Sequence, residues 1–411
     1  MMRKLLLLLF ALTVTVFAAL AQQGDTLRLG YSVRGQVLDA RSGRPVGSVH
    51  VTVPGRHHAT VTNEDGAFVL RSDDPIGEIE LSCLGYKKQL QAAGTDYLTV
   101  RLSKESYVLD EASIVYGNPR SIVDAARERI WDSYCTQPEL LECFYRETVQ
   151  KGSRYTYVAE AVARLYKHTY DGTLFRDGAA LEKSRTLVSQ RRRDTLSVKT
   201  QGGPTLALSL DAVKNPEVLL SPELLDLYRF KLAPAAYIGD RPQFVVRIEP
   251  ETEAPFPLYY GTLYIDRELL TFSRIELSMD MSNRGKVAQM LLVSKPASLR
   301  FYPEEVRYIL NYSLREDGRV RLSYFRSELN FSCKWQKRFS STRHYTSVNE
   351  LVVTDLREPA VPVSKKERFR VKDILCDTAP DFYDPDFWEG YNIIAPSESL
   401  EHAVERLKKR R

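Results

Sequence analysis

Gly35-Gln36-Val37-Leu38-Asp39-Ala40-Arg41-Ser42-Gly43-Arg44-Pro45-Val46-Gly47-Ser48-Val49-His50-Val51-Thr52-Val53 holds two short runs of alternating apolar residues around one polar turn. Val33, Gly35 and Val37 share one side of the first run, and Arg41-Ser42-Gly43-Arg44-Pro45 breaks it. Val49, Val51 and Val53 then alternate up to Pro54-Gly55. The pattern continues outward with Thr60 and Val61, a turn at Asn63-Glu64-Asp65-Gly66, and then Phe68 and Leu70. Ile79, Leu81 and Cys83 make a further run, and Leu98, Val100 and Leu102 the last. Period-two alternation interrupted this often predicts a small two-sheet sandwich over residues 28–106, each strand sending every other side chain inward. His50, between Val49 and Val51, is expected to face outward.

These residues resemble the carboxypeptidase-regulatory-like, transthyretin-like domain of exported Gram-negative proteins. Gly35 to Asp39 with Gly43-Arg44-Pro45-Val46 is similar to its opening. Val49 to Val53, Thr62-Asn63-Glu64-Asp65-Gly66-Ala67-Phe68 and Ser82-Cys83-Leu84-Gly85-Tyr86 are similar to its later strands and turns. Asn63 departs from the pattern, which commonly has Asp there. Gly66 suits a turn with positive φ, Phe68 an inward position, and Gly85 a bend beside a packed Tyr86. The resemblance implies a folding, docking or binding module, because this domain accompanies metallocarboxypeptidases without carrying their catalytic residues. In receptors of the outer membrane the module is followed by a segment that Leu109-Asp110-Glu111-Ala112 resembles, but no long barrel domain of receptor size follows here.

A linker is expected at 107–117, and a larger α+β domain from 118 to 411. Asn118-Pro119 is a helix start, with Ile122, Val123, Ala126 and Ile130 on one stripe. Ser221-Pro222-Glu223 starts a second, short helix. Alternation returns at Phe244 to Ile248, Tyr259 to Ile265, and Ile275, Leu277 and Met279. Tyr308, Leu310, Tyr312 and Leu314 lead into Asp317-Gly318, and Val320, Leu322 and Tyr324 lead out, which is a strong hairpin signal. The fold class is therefore mainly β: a transthyretin-like β-sandwich followed by an α+β domain with a curved antiparallel sheet. Phe144-Tyr145-Arg146-Glu147, Glu160-Ala161 and Phe387-Trp388-Glu389-Gly390-Tyr391-Asn392-Ile393-Ile394 resemble the uncharacterised part of a bacterial family of exported proteins carrying this N-terminal domain. By analogy of pattern, the sheet is similar to the open half-barrel of periplasmic lipoprotein carriers.

Arg3 and Lys4, the apolar run from Leu5 to about Leu20, and Ala19-Leu20-Ala21 have the order of a secretory signal over residues 1–21, with an N-terminal anchor as the alternative. No cysteine follows the expected cut for lipid attachment, and no later stretch could span a bilayer as a helix. The expected location is the periplasm or the periplasmic face of the outer membrane. Of the 411 residues, Arg3, Lys4, Arg406, Lys408, Lys409, Arg410 and Arg411 carry seven positive charges; removing them from the net +5 leaves about −2. Nucleic-acid binding is not indicated. The basic end suits the carbonyl terminus of a helix, and Arg191-Arg192-Arg193 reads as a solvated loop.

Five cysteines imply at least one thiol that is unpaired or pairs with another chain. Cys135 and Cys143 are close enough in sequence for a local bridge or for two separate thiols, while Cys83 and Cys333 read as small buried hydrophobes. No C-x-x-C occurs, against a thiol oxidoreductase or a common zinc site. His57 and His58 sit in a turn without identifiable partner ligands. His402-Ala403-Val404-Glu405 has the spacing of two carboxypeptidase zinc ligands, but Leu400, Ala403, Val404 and Leu407 read as the apolar side of a helix begun near Ser397. Arg146 and Glu147 are adjacent on a strand and so point to opposite faces. Asp381-Phe382-Tyr383-Asp384-Pro385-Asp386-Phe387-Trp388 could stack a ligand or anchor the tail on the sheet. No hydrolase elbow, phosphate loop or His-Glu-x-x-His is present. No catalytic, cofactor-binding or metal residue is assigned. The expectation is a non-catalytic envelope protein that binds or assembles, its partner a lipid or another envelope protein, with peripheral membrane association compatible. The alternative is an envelope hydrolase whose site is assembled in the larger domain.

Overall fold

The computed structural model describes residues 30–94, 97–105, 118–170, 177–189, 191, 197–337, 340–381, 384 and 386–408. The signal at 1–21, the linker at 107–117, Arg192, Arg193, Phe382, Tyr383, Pro385 and residues 409–411 lie outside the described residues.

The first strands are β1 (Tyr31–Asp39), β2 (His50–Thr52), β3 (Ala59–Val61), β4 (Ala67–Ser72), β5 (Glu78–Ser82), β6 (Gln89–Ala92) and β7 (Leu98–Leu102). They form two sheets, β4-β1-β7 and β3-β2-β5-β6. The alternation sends Val37, Val49, Val51, Phe68, Leu70, Ile79, Leu81 and Val100 into one core between them. Gly66 has φ +72°, and a Cβ there would lie 2.3 Å from the Val37 carbonyl oxygen, so the turn requires glycine. Gly85 likewise has φ +79°, and the Tyr86 hydroxyl beside it donates to the Asp39 carboxylate at 3.1 Å.

The second part opens with α1 (Pro119–Glu128), whose Asn118 cap accepts from the Arg120 amide, and α2 (Ile130–Ser133). Strands β8 (Glu139–Lys151), β9 (Arg154–Lys167) and β10 (Gly178–Val188) follow, then β11 (Lys199–Thr200), α3 (Pro204–Ser209) and α4 (Pro222–Leu225), the last capped by Ser221. Next come β12 (Tyr228–Ile238), β13 (Arg241–Pro250), β14 (Tyr259–Asp266), β15 (Phe272–Met279), α5 (Arg284–Leu291) and β16 (Leu292–Ser294). The chain closes with β17 (Leu299–Leu314), β18 (Val320–Trp335), β19 (Arg343–Arg357), β20 (Arg368–Phe369), α6 (Leu375–Thr378) and α7 (Glu398–Lys408). Eleven strands join in the order β12-β13-β14-β15-β17-β18-β19-β8-β9-β10-β20, and the two edges do not meet, so the sheet stays open. Every pairing in it is antiparallel.

The inner face of this sheet is filled. Ile122, Val123 and Ala126 of α1, with Leu206 and Ala207 of α3, pack in one core with Cys143, Tyr145, Leu263, Leu310 and Leu351 of the strands. The Asp317-Gly318 hairpin forms, with Gly318 at φ +75°. One detail departs from simple alternation. Val320 and Leu322 face the inner core, but the register slips between Asn311 and Tyr312, and Tyr324 turns to the opposite face beside Val352 and Trp388. A bulge adds one residue to one strand and so inverts every side chain beyond it.

The outer face of β8 to β10 is covered by the C-terminal tail. Trp388 packs edge-on against Phe144 with centroids 5.4 Å apart, and its indole donates to Glu160 at 3.0 Å, so the aromatic segment anchors the tail. Helix α7 begins at Ser397, whose hydroxyl accepts from the Leu400 amide at 3.3 Å. It buries Leu400, Ala403 and Leu407 and leaves His402 exposed, as an amphipathic helix should. Between Trp388 and that helix the chain crosses back to the sandwich. Ile393 bridges Val69, and the Thr60 hydroxyl donates to the Ile393 carbonyl at 2.8 Å.

All five cysteines are free thiols, so Cys135 and Cys143 are not bridged. Cys143 and Cys333 lie in the inner core, while Cys83 is only partly buried and packs against the sandwich core.

Asn63 explains itself here. Its side-chain oxygen accepts from the amides of Asp65 and Ala67, both at 2.9 Å, and its amide nitrogen donates to the carbonyls of Ala395 at 3.2 Å and Pro396 at 2.9 Å. An aspartate could hold the turn but would set a carboxylate against two carbonyls. Asn63→Asp is expected to leave the sandwich folded, cost about 1–3 kcal/mol in urea unfolding, and speed amide exchange in residues 391–396. Unchanged exchange there would refute the role assigned to the amide.

Candidate functional site

Two polar faces oppose one another where the sandwich meets the sheet. Strands β2 and β5 point Val51, Ile79 and Leu81 into their own core, so His50, Thr52, Glu80 and Ser82 look outward. Strand β17 points Leu310 and Tyr312 inward, so Asn311 and Ser313 look outward. Between these walls lies a cleft of about 1390 Å³, also lined by Gln243, Arg274, Arg315 and Arg321. At one margin the domains touch directly: Leu84 bridges Ile238, and the Gly85 amide donates to the Tyr237 carbonyl at 2.9 Å. Junctions between domains are where ligand sites commonly form.

Most charges in the cleft are mutually satisfied. Lys88 meets Glu80 at 2.8 Å, Arg241 holds Asp266 with a 2.9 Å contact, and Arg321 takes both Glu139 and Asp317. Three side chains that line it, His50, Gln243 and Arg315, each carry one buried polar atom with no hydrogen-bond partner: Nε2, Oε1 and Nε. The size of the cleft and its polar walls from both parts make it the candidate binding site. Burial, reinforced by the neighbouring Arg315 charge, pushes the His50 pKa down to about 3. Burial also lowers the Arg315 pKa, and Arg321 adds to this against the pull of Glu139, Asp317 and Asp355. His50 therefore faces away from the sandwich core, as alternation requires, but into this cleft rather than into bulk water. The expectation of an outward histidine is corrected to that extent.

The other residues singled out in the sequence do not converge. His58 sits 3.5 Å from Asp355, and His57 lies at the margin of the cleft. Among the described residues no group of three or more His, Cys, Asp or Glu is arranged to hold a metal. Arg146 and Glu147 do point to opposite faces. Arg146 pairs with Glu160 at 2.7 Å on the outer face, and Glu147 accepts from the Tyr145 hydroxyl at 2.8 Å on the inner one.

A second cluster of charges lies wholly inside the sheet. Asp211 receives the ammonium of Lys167 and, at 2.7 Å, the hydroxyl of Tyr312. Lys214 donates to the His168 carbonyl at 2.7 Å and stands 3.5 Å from Asp177. Burial works against the Lys167 charge, but Asp211, Tyr170 and Asp177 together offset it and the pKa is raised. With Asp211, Lys167 and Lys214 sealed from solvent, this network is a staple between the α3 region and the sheet and not a reaction site. None of the cleft residues carries a motif. Their signal in the sequence was only that polar residues occupy the outward positions of both sheets.

Asp211→Asn is expected to leave Lys167 as an unbalanced buried charge and to cost on the order of 3–5 kcal/mol in chemical denaturation; a loss under about 1 kcal/mol would contradict the staple. For His50 the folded pKa lies below the unfolded value near 6.5. Between the two the unfolded chain binds more protons, so stability falls as pH drops from about 6.5 toward 3, by up to about 1.4 kcal/mol per unit. His50→Gln should flatten that slope relative to the parent chain in urea titrations; parallel slopes would count against a neutral, shielded imidazole.

Residues 33–114 match the family model of the CarboxypepD_reg-like domain. No curated protein matches the chain. Among solved structures, a putative outer membrane lipoprotein-sorting protein domain from Vibrio parahaemolyticus is 13% identical, with 61% of this chain and 96% of that one covered at a TM-score of 0.27. A DUF1329 family protein from Desulfovibrio piger is 10% identical over 60% and 95%, at 0.26. A LolA superfamily protein from Nitrosomonas europaea is 11% identical over 62% and 98%, at 0.23. TM-scores this low carry no argument about function. The N-terminal sandwich, with its Gly66 turn, inward Phe68 and paired small sheets, is thus a carboxypeptidase-regulatory-like domain at the front of a larger β-rich chain.

Proposed function

We propose that this chain is a non-catalytic, exported cell-envelope protein that binds a polar partner, a segment of another envelope protein, in the cleft between its two parts. Its organisation is a signal at 1–21, the sandwich at 28–106, a linker at 107–117 and the α+β domain at 118–411. The observation that carries the reading is the cleft of about 1390 Å³ with polar walls from both parts. A ligand offering donors and acceptors would pair with the polar side chains that face it. An acyl chain is a poorer fit. The inner face of the sheet, where an apolar channel would have to run, is occupied by α1, α3 and their side chains. Four of the seven carboxylates that line the cleft, Glu80, Glu139, Asp266 and Asp317, are each held by a cation, which suits a wall better than an acid–base pair. No helix among the described residues is long and apolar enough to cross a membrane.

The test is native mass spectrometry of the mature chain purified from the envelope fraction, alongside Thr52→Trp and Ser313→Trp, which fill the cleft from opposite walls. A polar or peptide partner retained by the parent and lost from both variants is expected. A stoichiometric acyl lipid retained by all three would overturn the reading. So would a bare parent chain that takes up nothing from envelope extract.

A further inference from the structure

We infer that a second groove, on the outer face of the large sheet and separate from the cleft, binds a neutral saccharide chain. On β14 and β15 the apolar side chains of Leu263, Ile275 and Leu277 join the inner core, so Tyr260, Thr262, Glu276 and Ser278 stand on the opposite face. Strand register sets their neighbours. Arg247 lies opposite Thr262 and Thr262 opposite Glu276, while Tyr260 lies opposite Ser278 and Ser278 opposite Arg307. Thr262 and Ser278 are short and the residues around them long, which leaves a trough of about 490 Å³. That volume falls in the range of small-ligand sites, about 300–1,000 Å³. The ion pair of Arg274 with Glu276, at 2.6 Å, is the boundary with the cleft: Arg274 lines the cleft and Glu276 the groove.

The lining chemistry selects the ligand. Three arginines, Arg247, Arg307 and Arg326, face three glutamates, Glu249, Glu276 and Glu328, so the groove has no net charge with which to prefer an anion or a cation. The outward aliphatic side chain is Ile309, which offers little to an acyl chain. An extended peptide that adds to a sheet needs a free strand edge. Strands β13, β14, β15 and β17 are each paired on both sides. What remains is a set of fixed donors and acceptors. Lys231 holds Glu249 at 2.7 Å, Arg274 holds one oxygen of Glu276, and Arg326 lies 2.7 Å from Glu350 and 3.4 Å from Glu328. Carboxylates and guanidinium groups fixed by one neighbour still present further oxygens and N–H groups, and a hydroxyl, which donates once and accepts twice, meets both kinds. Tyr260 remains 49% exposed beside the trough. The C–H side of a pyranose ring can lie on such an aromatic face, whose quadrupole is negative there.

The experiment is saturation-transfer NMR on the mature chain, with maltotetraose, cellotetraose, chitotetraose and mannotetraose titrated separately. Saturable transfer to at least one of them is expected. Tyr260→Ala should weaken its apparent affinity about ten-fold. Tyr260→Phe, which keeps the ring, should retain most of the affinity, and Ser278→Trp, which fills the trough, should abolish it. Tyr302→Ala, which removes another exposed tyrosine of β17, should bind as the parent does. Transfer to none of the probes, or an affinity left unchanged by Tyr260→Ala or by Ser278→Trp, overturns the inference. So does binding of octaglutamate in place of the saccharides, if Ser278→Trp abolishes it, because the groove would then be an anion site.

Discussion

Arg146 is the side chain on which the arrangement of the whole molecule turns. It sits buried at the centre of β8, bonds Glu160 on the neighbouring strand, and donates to the Ile394 carbonyl at 2.7 Å. Glu160 in turn is held by Arg185 and by the Trp388 indole. A guanidinium taken out of water is tolerable only when its donors are met and a carboxylate balances it. Here the balance needs the tail in place. The same tail segment then bonds the sandwich through Thr60, Asn63 and Arg71, with Asn392 accepting from the Arg71 amide at 2.6 Å. One ion-pair network thereby ties the first and last parts of the chain to the middle.

The cleft is a consequence of that tie. The sandwich is held on one side by the tail and on the other by the short bridge between Leu84 and Ile238. With Val61 also packed against Tyr324 and Val352, and His58 beside Asp355, these contacts at the margins leave polar faces opposite one another across the cleft. Each wall is ordinary by itself, since the outward side of an antiparallel sheet is usually polar and solvated. Brought together, the walls desolvate one another, and groups that would be hydrated on a free domain become shielded donors and acceptors. His50 illustrates this: its pKa is lowered by burial and by the charge of Arg315 from the other part of the chain.

The inner face of the large sheet took the opposite course. Its strands curve around helices that come from the same chain, and the apolar side chains of α1 and α3 fill what an open half-barrel could have left as a channel. The buried Lys167, Asp211 and Tyr312 add a polar staple where the α3 region meets the strands. A face packed this closely resists entry of a ligand, because creating room means separating well-packed side chains.

Period-two alternation and turn chemistry, both local, were enough to read the sandwich, the hairpin at Asp317-Gly318, the helix at Asn118-Pro119 and the amphipathic end helix from the sequence. Strand pattern also told that Arg146 and Glu147 diverge. It could not tell that Tyr324 leaves its neighbours' face, because the bulge at Asn311 and Tyr312 depends on how two strands pair. Nor could it place His50 beside Arg315 or Asn63 beside Ala395, residues that are hundreds of positions apart or that lie on different sheets. The departure to Asn at position 63 looked neutral because its partner carbonyls come from the far end of the chain. Composition and spacing thus determined the elements and their buried sides, since those follow from backbone geometry and burial of apolar area. The cleft and the anchoring of the tail were decided by tertiary structure alone, since electrostatics in a shielded space depends on which surfaces meet.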